Sequence, residues 1–257
     1  VMYNMFVGIL QAVGDSKHPL YYLILSSIIN VVLDIVFITV FDMGVGGAAF
    51  ATDISQVVSA VLCMIQLMRS KAEYRLNLRK IRFEWDIFKQ VIQFGLPSGF
   101  QNSIIAIANV VVQSNINSFG EMAMAGCGAY SKIEGFGFLP ITSFTMALTT
   151  FVSQNLGAKN YERTKKGARF GIACAMILAE VIGIIIFIAA PVFVAAFDRT
   201  PEVIVFGTER ARTSALFYFL LAYSHSIAAV LRGAGKSVIP MIVMMIFWCV
   251  IRVAVLT

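Results

Sequence analysis

An aspartate and an asparagine interrupt a long apolar run near the start of the chain. In the stretch IINVVLDIVF, residues 28–37, Asn30 and Asp34 are four residues apart. That spacing places both side chains on one face of a helix. A carboxylate at the centre of a membrane-spanning helix costs about 2.5–3.5 kcal/mol on insertion scales, so such groups face a bundle interior or a wet cavity. These two residues are therefore the first candidates for chemistry.

The segment that follows can bring a hydroxyl group to the same place. In an antiparallel hairpin that turns at Met43, Asp34 lies level with Thr52, and both lie about 10 Å in from the membrane surface. Carboxylate, amide and hydroxyl oxygens suit a hard monovalent cation, and a desolvated carboxylate can instead take up a proton. Asp53 lies at similar depth, about 100° further around the helix. The alternative is that Asp34 and Asn30 only hydrogen-bond to neighbouring helices.

Long apolar segments supply the elements that position these groups. The chain is 59% hydrophobic and 13% charged, whereas soluble domains are less apolar and about a quarter charged. About 20 apolar residues cross a bilayer as a helix, and seven segments have that character: 20–41, 45–68, 88–119, 123–156, 168–197, 213–230 and 238–256. Residues 2–13 resemble the end of one more. The sequence thus predicts an all-α polytopic membrane protein with about seven full transmembrane helices and the end of an eighth.

The distribution of positive charge predicts the orientation. Most of the 20 Lys and Arg residues lie in every second connection: 14–19, 69–89, 157–169 and 232–237. This alternation is the positive-inside pattern, so these connections are expected in the cytoplasm and the net charge of +6 does not indicate nucleic-acid binding. Arg210 and Arg212 are exceptions, because the connection 198–212 is predicted on the outer side.

An internal repeat predicts the organisation of a larger protein. ILQAVGDSKHP, residues 9–19, and VLRGAGKSVIP, residues 230–240, align without gaps, and six predicted spans lie between them. An even number of spans gives both copies the same orientation, as in transporters built from two parallel six-helix units. We therefore expect an internal part of a twelve-helix, two-lobe protein, without roughly its first four helices and its last. The predicted parts are an N-terminal lobe (1–68), a cytoplasmic linker (69–87) and a C-terminal lobe (88–257).

Six motifs occur in an order that resembles the multidrug and toxic compound extrusion (MATE) family over essentially the whole chain: LQAVGDSKHP, INVVLDIVFI, GVGGAAFATDISQ, FGLPSGFQNS, SQNLGAKNYERTKKG and LRGAGKSVIP. The resemblance implies two six-helix lobes around a central cavity, and exchange of Na⁺ or H⁺ for organic, often cationic, compounds. It also implies a cation site in the first lobe, with ligands Asn30, Asp34, Thr52 and the carbonyl of Ala48. A further aspartate of that site would precede Val1. The acidic residues of another branch, in its seventh and tenth helices, have no counterpart here.

Polar residues of the second lobe form two stripes. The seventh helix carries Ser98, Asn102, Asn109, Gln113 and Asn117 on one face, and the tenth carries Ser214, Tyr218 and His225. From these we predict a substrate cavity lined by Asn102, Asn109, Gln113, Tyr218 and His225. The alternative is interhelical hydrogen bonding, which is also the role expected for Glu180.

These features together predict a cation-coupled antiporter rather than an enzyme. No catalytic triad, HExxH motif, Walker loop or metal-binding cluster occurs in the sequence, and the four cysteines lie singly in apolar segments. We expect Na⁺ or H⁺ as the coupling ion, no cofactor, a small organic substrate, and a monomer in the cytoplasmic membrane. The alternative is a lipid-linked precursor flippase or polysaccharide exporter, which is disfavoured because intramembrane cations are few (Lys132 and Arg252).

Overall fold

Helices form most of the chain, because a segment that crosses a bilayer must satisfy its backbone hydrogen bonds internally. The computed structural model describes residues 2–72, 74–252 and 254. It contains two compact units, Val1–Phe83 and Glu84–Thr257. No strand occurs among the described residues. The predicted lobe boundaries at residues 68 and 88 stay predictions.

The first unit is a short helix followed by a helical hairpin. Its elements are α1 (Met2–Ala12), α2 (Lys17–Ile35) with a π-helical continuation (Val36–Val40), α3 (Gly44–Arg69) and a 3₁₀ turn (Leu78–Lys80). Both arms of the hairpin are long and apolar enough to cross a membrane.

The second unit contains the remaining spans. Its helices are α4 (Trp85–Asn117), α5 (Glu121–Gly157), α6 (Tyr161–Ala195), α7 (Pro201–Ala215), α8 (Tyr218–Gly233) and α9 (Val238–Met245), which continues as a π-helix (Ile246–Ile251). Helices α4, α5 and α6 are each long and apolar enough to span a membrane, and α7 and α8 reach that length and hydropathy only together, with a bend of 54° between them. The last apolar helix is shorter, and residues 253, 255 and 256 of its predicted range lie outside the described residues. The described chain is therefore an all-helical polytopic membrane protein.

The two copies of the sequence repeat adopt the same turn. Gly14 and Gly235 both have a positive φ, of 86° and 78°. In the first copy the amide of Gly14 donates to Gln11 O at 3.0 Å and that of Asp15 to Leu10 O at 2.9 Å. In the second copy the same two hydrogen bonds recur at the equivalent positions, both at 2.9 Å. This is the Schellman arrangement that ends a helix, so the repeat is structural as well as sequential.

The register of the α2–α3 hairpin differs from the expected one. Asn30, rather than Asp34, lies opposite Thr52, with Nδ2 of Asn30 3.5 Å from Oγ1 of Thr52. A π-helix packs more residues into each turn than an α-helix. The π-helical segment Val36–Val40 therefore carries the preceding residues closer to the turn of the hairpin, which contributes to this shift.

The predicted outer connection 198–212 is instead largely helix α7. Proline occupies the first turn of this helix at Pro201, and the Asp198 carboxylate before it accepts a hydrogen bond from the Thr200 amide at 2.8 Å. This bond lowers the pKa of Asp198 below its usual value. The composition of helix α7 is polar enough to predict a loop, yet the side chains of Val203, Ala211 and Ala215 are buried. The predicted tenth span is therefore longer than expected and broken in the middle.

Small residues allow the helices of the second unit to approach closely. A Cβ atom added at Gly126 of α5 would lie 2.8 Å from the backbone nitrogen of Gly207 of α7, and one added at Gly207 would lie 3.0 Å from the Gly126 carbonyl oxygen. Around this crossing, α5, α6, α7 and α8 share one core that includes Tyr130, Ile141, Ile186 and Tyr218. Close packing through glycine is typical of helices in membranes.

Candidate functional site

Three of the predicted cation ligands form a chain of contacts in the first unit. The Asn30 amide donates from Nδ2 to Thr52 Oγ1 at 3.5 Å, and Thr52 Oγ1 donates to the Ala48 carbonyl at 2.9 Å. Since the single hydroxyl proton of Thr52 is directed to Ala48, the hydroxyl presents only lone pairs to Asn30 and to the space beside it. The arrangement therefore offers oxygen atoms, as a hard cation requires.

Asp34 lies one helical turn beyond Asn30, towards the turn of the hairpin. Its Oδ1 atom is buried and has no hydrogen-bond partner among the described residues. In the described part of the chain, Thr52 hydrogen-bonds to Asn30 and Ala48 and not to this Oδ1 atom. A buried carboxylate oxygen without a donor is costly, because nothing replaces the water that it has lost. This oxygen is therefore the atom of the first unit that most needs a cation or a proton.

A polar cavity of ≈ 160 Å³ adjoins the Asn30–Thr52 contact. Its lining includes Ser26, Ser27, Asn30, Thr52, Ser55, Gln56 and Ser59, with Tyr3 and Leu23. The Ser26 hydroxyl donates across the hairpin to the Ser55 carbonyl at 2.6 Å. Such a cavity can hold several water molecules. Asp34 and Ala48 do not line it, and Asp53 is exposed on α3 and also lies outside it.

The predicted cavity residues of the second unit fall into separate groups. Asn109 accepts a hydrogen bond from Nη1 of Arg252 at 3.0 Å, and Gln113 donates to Asn117 of its own helix at 2.9 Å. Asn102 is exposed, whereas its neighbour Gln101 is buried and contacts Met244. The structure therefore does not bring these side chains into one cluster.

His225 lies between two aromatic rings. Its ring is 5.2 Å from the Phe138 ring and 6.2 Å from the Trp248 ring, both at 83°, and its Nδ1 lies 3.0 Å from the Leu221 carbonyl. Through Trp248 it adjoins Arg252, whose guanidinium carbon is 5.8 Å from the centre of that ring. Sequence reasoning named Arg252 only as a scarce cation and missed Trp248, since neither lies on a polar stripe.

Tyr218 lies in the interior of the second unit, and its predicted role in lining a cavity stays a prediction. It is 2% exposed, and its hydroxyl is 3.3 Å from that of Tyr130, which in turn donates to Glu134 Oε1 at 3.1 Å. The guanidinium of Arg210 lies 5.5 Å from the centre of the Tyr130 ring. The same helix places Arg212 over Phe187. Both arginines of the connection that was predicted on the outer side therefore pack on aromatic rings.

Glu180 makes the interhelical hydrogen bond that was expected of it. Its Oε2 accepts from the Phe219 amide at 3.3 Å, at the start of α8 where the bent span is broken. One turn further along α6, a Cβ atom at Gly183 would lie 2.6 Å from the Ala215 carbonyl oxygen. Both residues of α6 therefore fit the break between α7 and α8.

Long apolar helices with a broken span and buried polar groups define a multi-pass membrane protein of the transporter class. Residues 97–256 match the family model named MatE, and the chain belongs to that family. Transporters of this family are twelve-helix, two-lobe proteins.

Individual relatives agree with this membership. The chain is 26% identical to "Probable multidrug resistance protein YpnP" of Bacillus subtilis, over 97% of this chain and 56% of that protein. It is also 26% identical to "Probable multidrug resistance protein NorM" of Thermotoga maritima, over 93% of this chain and 52% of that protein. A solved outward-facing multidrug resistance MATE family transporter superposes with a TM-score of 0.88 at 26% identity, covering 98% of this chain and 57% of that one. The chain thus spans about half the length of these relatives.

Proposed function

We propose that the whole protein is a cation-coupled antiporter that exports small organic molecules across the cytoplasmic membrane. Membership of the MatE family and the names of the multidrug resistance relatives support export. The observation that carries the coupling is the buried Oδ1 of Asp34, which has no donor among the described residues and lies one turn from the Asn30–Thr52–Ala48 contacts. The coupling ion is Na⁺ or H⁺, no other cofactor takes part, and the protein works as a monomer.

In the proposed mechanism the ion acts by binding one conformation better than the other. A ligand shifts a two-state equilibrium only by its differential affinity for the two states. A cation or proton on Asp34 would stabilise the state in which Asn30, Thr52 and Ala48 converge on the carboxylate, and export would follow its release. The polar cavity beside Asn30 would supply water during the exchange. Asp53 is a possible neighbour of this site and is not required for it.

The test is transport by the whole protein in proteoliposomes with an imposed Na⁺ or H⁺ gradient. We expect Asp34→Asn to reduce gradient-driven export at least about 10-fold, because an amide carries no charge for the ion to neutralise. Asp42→Asn is the matched control: the same change, eight residues later, at an exposed turn position with a φ of 51° that asparagine tolerates. The gradient that drives export identifies the ion.

Heat stability in detergent gives a second measurement that does not require transport. If Na⁺ is the coupling ion, added Na⁺ should raise the apparent Tm of the wild-type protein and of Asp42→Asn, and not that of Asp34→Asn. Unchanged export by Asp34→Asn, with normal yield and a monodisperse elution profile, would remove Asp34 from the mechanism.

A further inference from the structure

The chain that follows α3 folds back onto the end of that helix. The amide of Leu76 donates to the Leu67 carbonyl at 3.1 Å, and Nε of Arg75 donates to the Met68 carbonyl at 3.0 Å. Leu76 also packs against the apolar cluster that α1 and α3 form around Leu67. The basic segment, residues 74–83, is therefore anchored at the last turn of α3 instead of extending away from it.

The length of α3 places this anchor at the membrane surface. Helix α3 has 26 residues and is one of the candidate membrane spans, and at 1.5 Å per residue it is about 39 Å long. The hydrocarbon core of a bilayer is about 30 Å thick, and the bilayer with its headgroups is about 40–45 Å thick. The end of α3 at Leu67 and Met68 therefore lies at the level of the headgroups, and the basic segment lies beside it.

Positive charge dominates the basic segment. It contains Arg75, Arg79, Lys80 and Arg82, and it contains no Asp or Glu. All four residues are exposed, and no carboxylate of the described residues lies within 4.0 Å of their charged nitrogen atoms. A cluster of about four to eight Lys and Arg residues directly after a membrane span attracts anionic lipids. The basic segment has this composition in this position.

Apolar side chains lie among these cations and are exposed as well. Leu78, Ile81 and Phe83 are 48%, 64% and 71% exposed. Because side chains three residues apart eclipse in a 3₁₀ turn, the turn at Leu78–Lys80 directs Leu78 and Ile81 to the same side. A loop in the cytoplasm would leave these side chains in water. At a membrane surface the apolar side chains enter the acyl boundary while the cations stay among the headgroups.

We propose that the basic segment binds the anionic headgroups of phospholipids in the adjoining leaflet, with Leu78, Ile81 and Phe83 inserted beside the acyl chains. Insertion of the apolar side chains brings Arg79 and Arg82 to the depth of the lipid phosphates. A guanidinium binds phosphate oxygens through two parallel hydrogen bonds, so these arginines suit that position. This lipid contact does not depend on the proposed antiport.

The test measures the depth of residue 83 in nanodiscs that contain the whole protein. The reporter is Phe83→Trp, in a protein whose other tryptophans, Trp85 and Trp248 among them, are replaced by phenylalanine. Half of the lipid is phosphatidylcholine that carries bromine near the headgroup end of its acyl chains, where it quenches an adjacent tryptophan. The other half is either phosphatidylglycerol or unbrominated phosphatidylcholine. We expect stronger quenching with phosphatidylglycerol, because the anionic headgroups hold the basic segment on the membrane.

Charge variants identify the cations that are responsible. Each Lys or Arg near an anionic surface contributes about 5-fold to binding. Arg79→Gln together with Arg82→Gln should therefore weaken docking about 25-fold and lower the quenching to its level in neutral lipid. Lys165→Gln together with Lys166→Gln is the matched control, because it removes the same charge from exposed positions of α6 on the same predicted side of the membrane. We expect the control to keep the full quenching.

Three outcomes would overturn the proposal. One is equal quenching with phosphatidylglycerol and with neutral lipid, a comparison that needs no charge variant to fold. Another is unchanged quenching after the two arginine substitutions, or an equal loss of quenching in the lysine control. The third is tryptophan emission at short wavelength without quenching, which would mean that protein rather than lipid covers residue 83. Gradient-driven export can be measured on the same variants, so failure of the antiport and failure of this lipid contact are distinguishable.

Discussion

Two partly buried residues of opposite charge, Asp34 and Arg252, each adjoin a π-helical segment. Asp34 lies two residues before Val36–Val40, and Arg252 directly follows Ile246–Ile251. A π-helical turn frees backbone groups and rotates the side chains beyond it relative to a regular α-helix, and such turns are frequent at functional sites. At both places a charged side chain is thereby directed away from the position that 3.6-residue spacing gives it. The contacts of these two residues are therefore hard to derive from their spacing in the sequence.

Lys159 adopts a backbone conformation that suits glycine. It ends α5 with a φ of 56°, and the amides of Lys159 and Asn160 donate to Leu156 O and Asn155 O, both at 2.9 Å. This is the turn that Gly14 and Gly235 make elsewhere. A left-handed conformation costs a residue with a Cβ atom about 1–2 kcal/mol. Part of the gain from glycine is offset by the greater freedom of the unfolded chain.

Lys159→Gly should therefore raise the free energy of unfolding by about 0.5–1 kcal/mol. The control is Lys165→Gly, which removes the same charge from the exposed face of α6 and should lower stability by up to about 1 kcal/mol, because glycine is a poor helix former. Thermal unfolding of both variants in the same detergent measures the difference. Equal Tm values for the two variants would contradict the backbone argument.

At the scale of elements, the break between α7 and α8 is held by a carboxylate. A helix that begins inside a membrane has amides without carbonyl partners, and Glu180 supplies an acceptor for the one at Phe219. Negative charge at a helix N-terminus is also favourable. Gly183 lets α6 contact the Ala215 carbonyl at the same break. Glu180 is therefore part of what keeps this span bent.

Glu180→Leu should lower the free energy of unfolding by about 1–3 kcal/mol, the usual cost of leaving a buried donor unpaired. Glu180→Gln keeps an acceptor oxygen at the same position, so it should be clearly more stable than Glu180→Leu. Thermal unfolding of the purified whole protein measures both variants. A Leu variant as stable as the wild type would mean that another group satisfies the Phe219 amide.

Some elements could be predicted from the sequence better than others. Long apolar segments gave the spans, and the shared Gly and Ser–Pro spacing gave the two equivalent turns. Helix α7 was not predicted, because only one of its faces is apolar and polar residues such as Arg210 gave the segment the composition of a loop. The α2–α3 hairpin was expected, but its register was not, since the π-helical segment before the turn has no signature in residue type. The hydrogen bond between Arg252 and Asn109 joins helices that are 143 residues apart in sequence, which spacing along one helix cannot reveal.

On the scale of the whole molecule, the sequence repeat and the distribution of positive charge both predict that the two repeat turns lie on the cytoplasmic side. The two predictions rest on different physical reasons. Positive residues stay in the cytoplasm because they are costly to translocate. The two Schellman turns are alike because equivalent sequences end equivalent helices. Only a parallel repeat places both turns on the basic side, whereas an inverted repeat would place them on opposite sides. The side of the membrane on which each turn lies is therefore the property that tests the parallel repeat and the charge pattern together.

Labelling of single cysteines in intact cells that produce the whole protein tests this orientation. The background protein has all four cysteines replaced by alanine: Cys63, Cys127, Cys174 and Cys249. Three variants each add one cysteine to it: Lys17→Cys and Lys236→Cys just after the two repeat turns, and Asp42→Cys in the turn between α2 and α3. All three positions are exposed. A membrane-impermeant maleimide should label the Asp42→Cys protein from outside. It should label the other two only after the membrane is permeabilised, because one span separates Lys17 from Asp42 and five more spans separate Asp42 from Lys236. Labelling of just one of the two lysine positions from outside would contradict a parallel repeat, and labelling of both would reverse the predicted orientation while leaving the repeat intact.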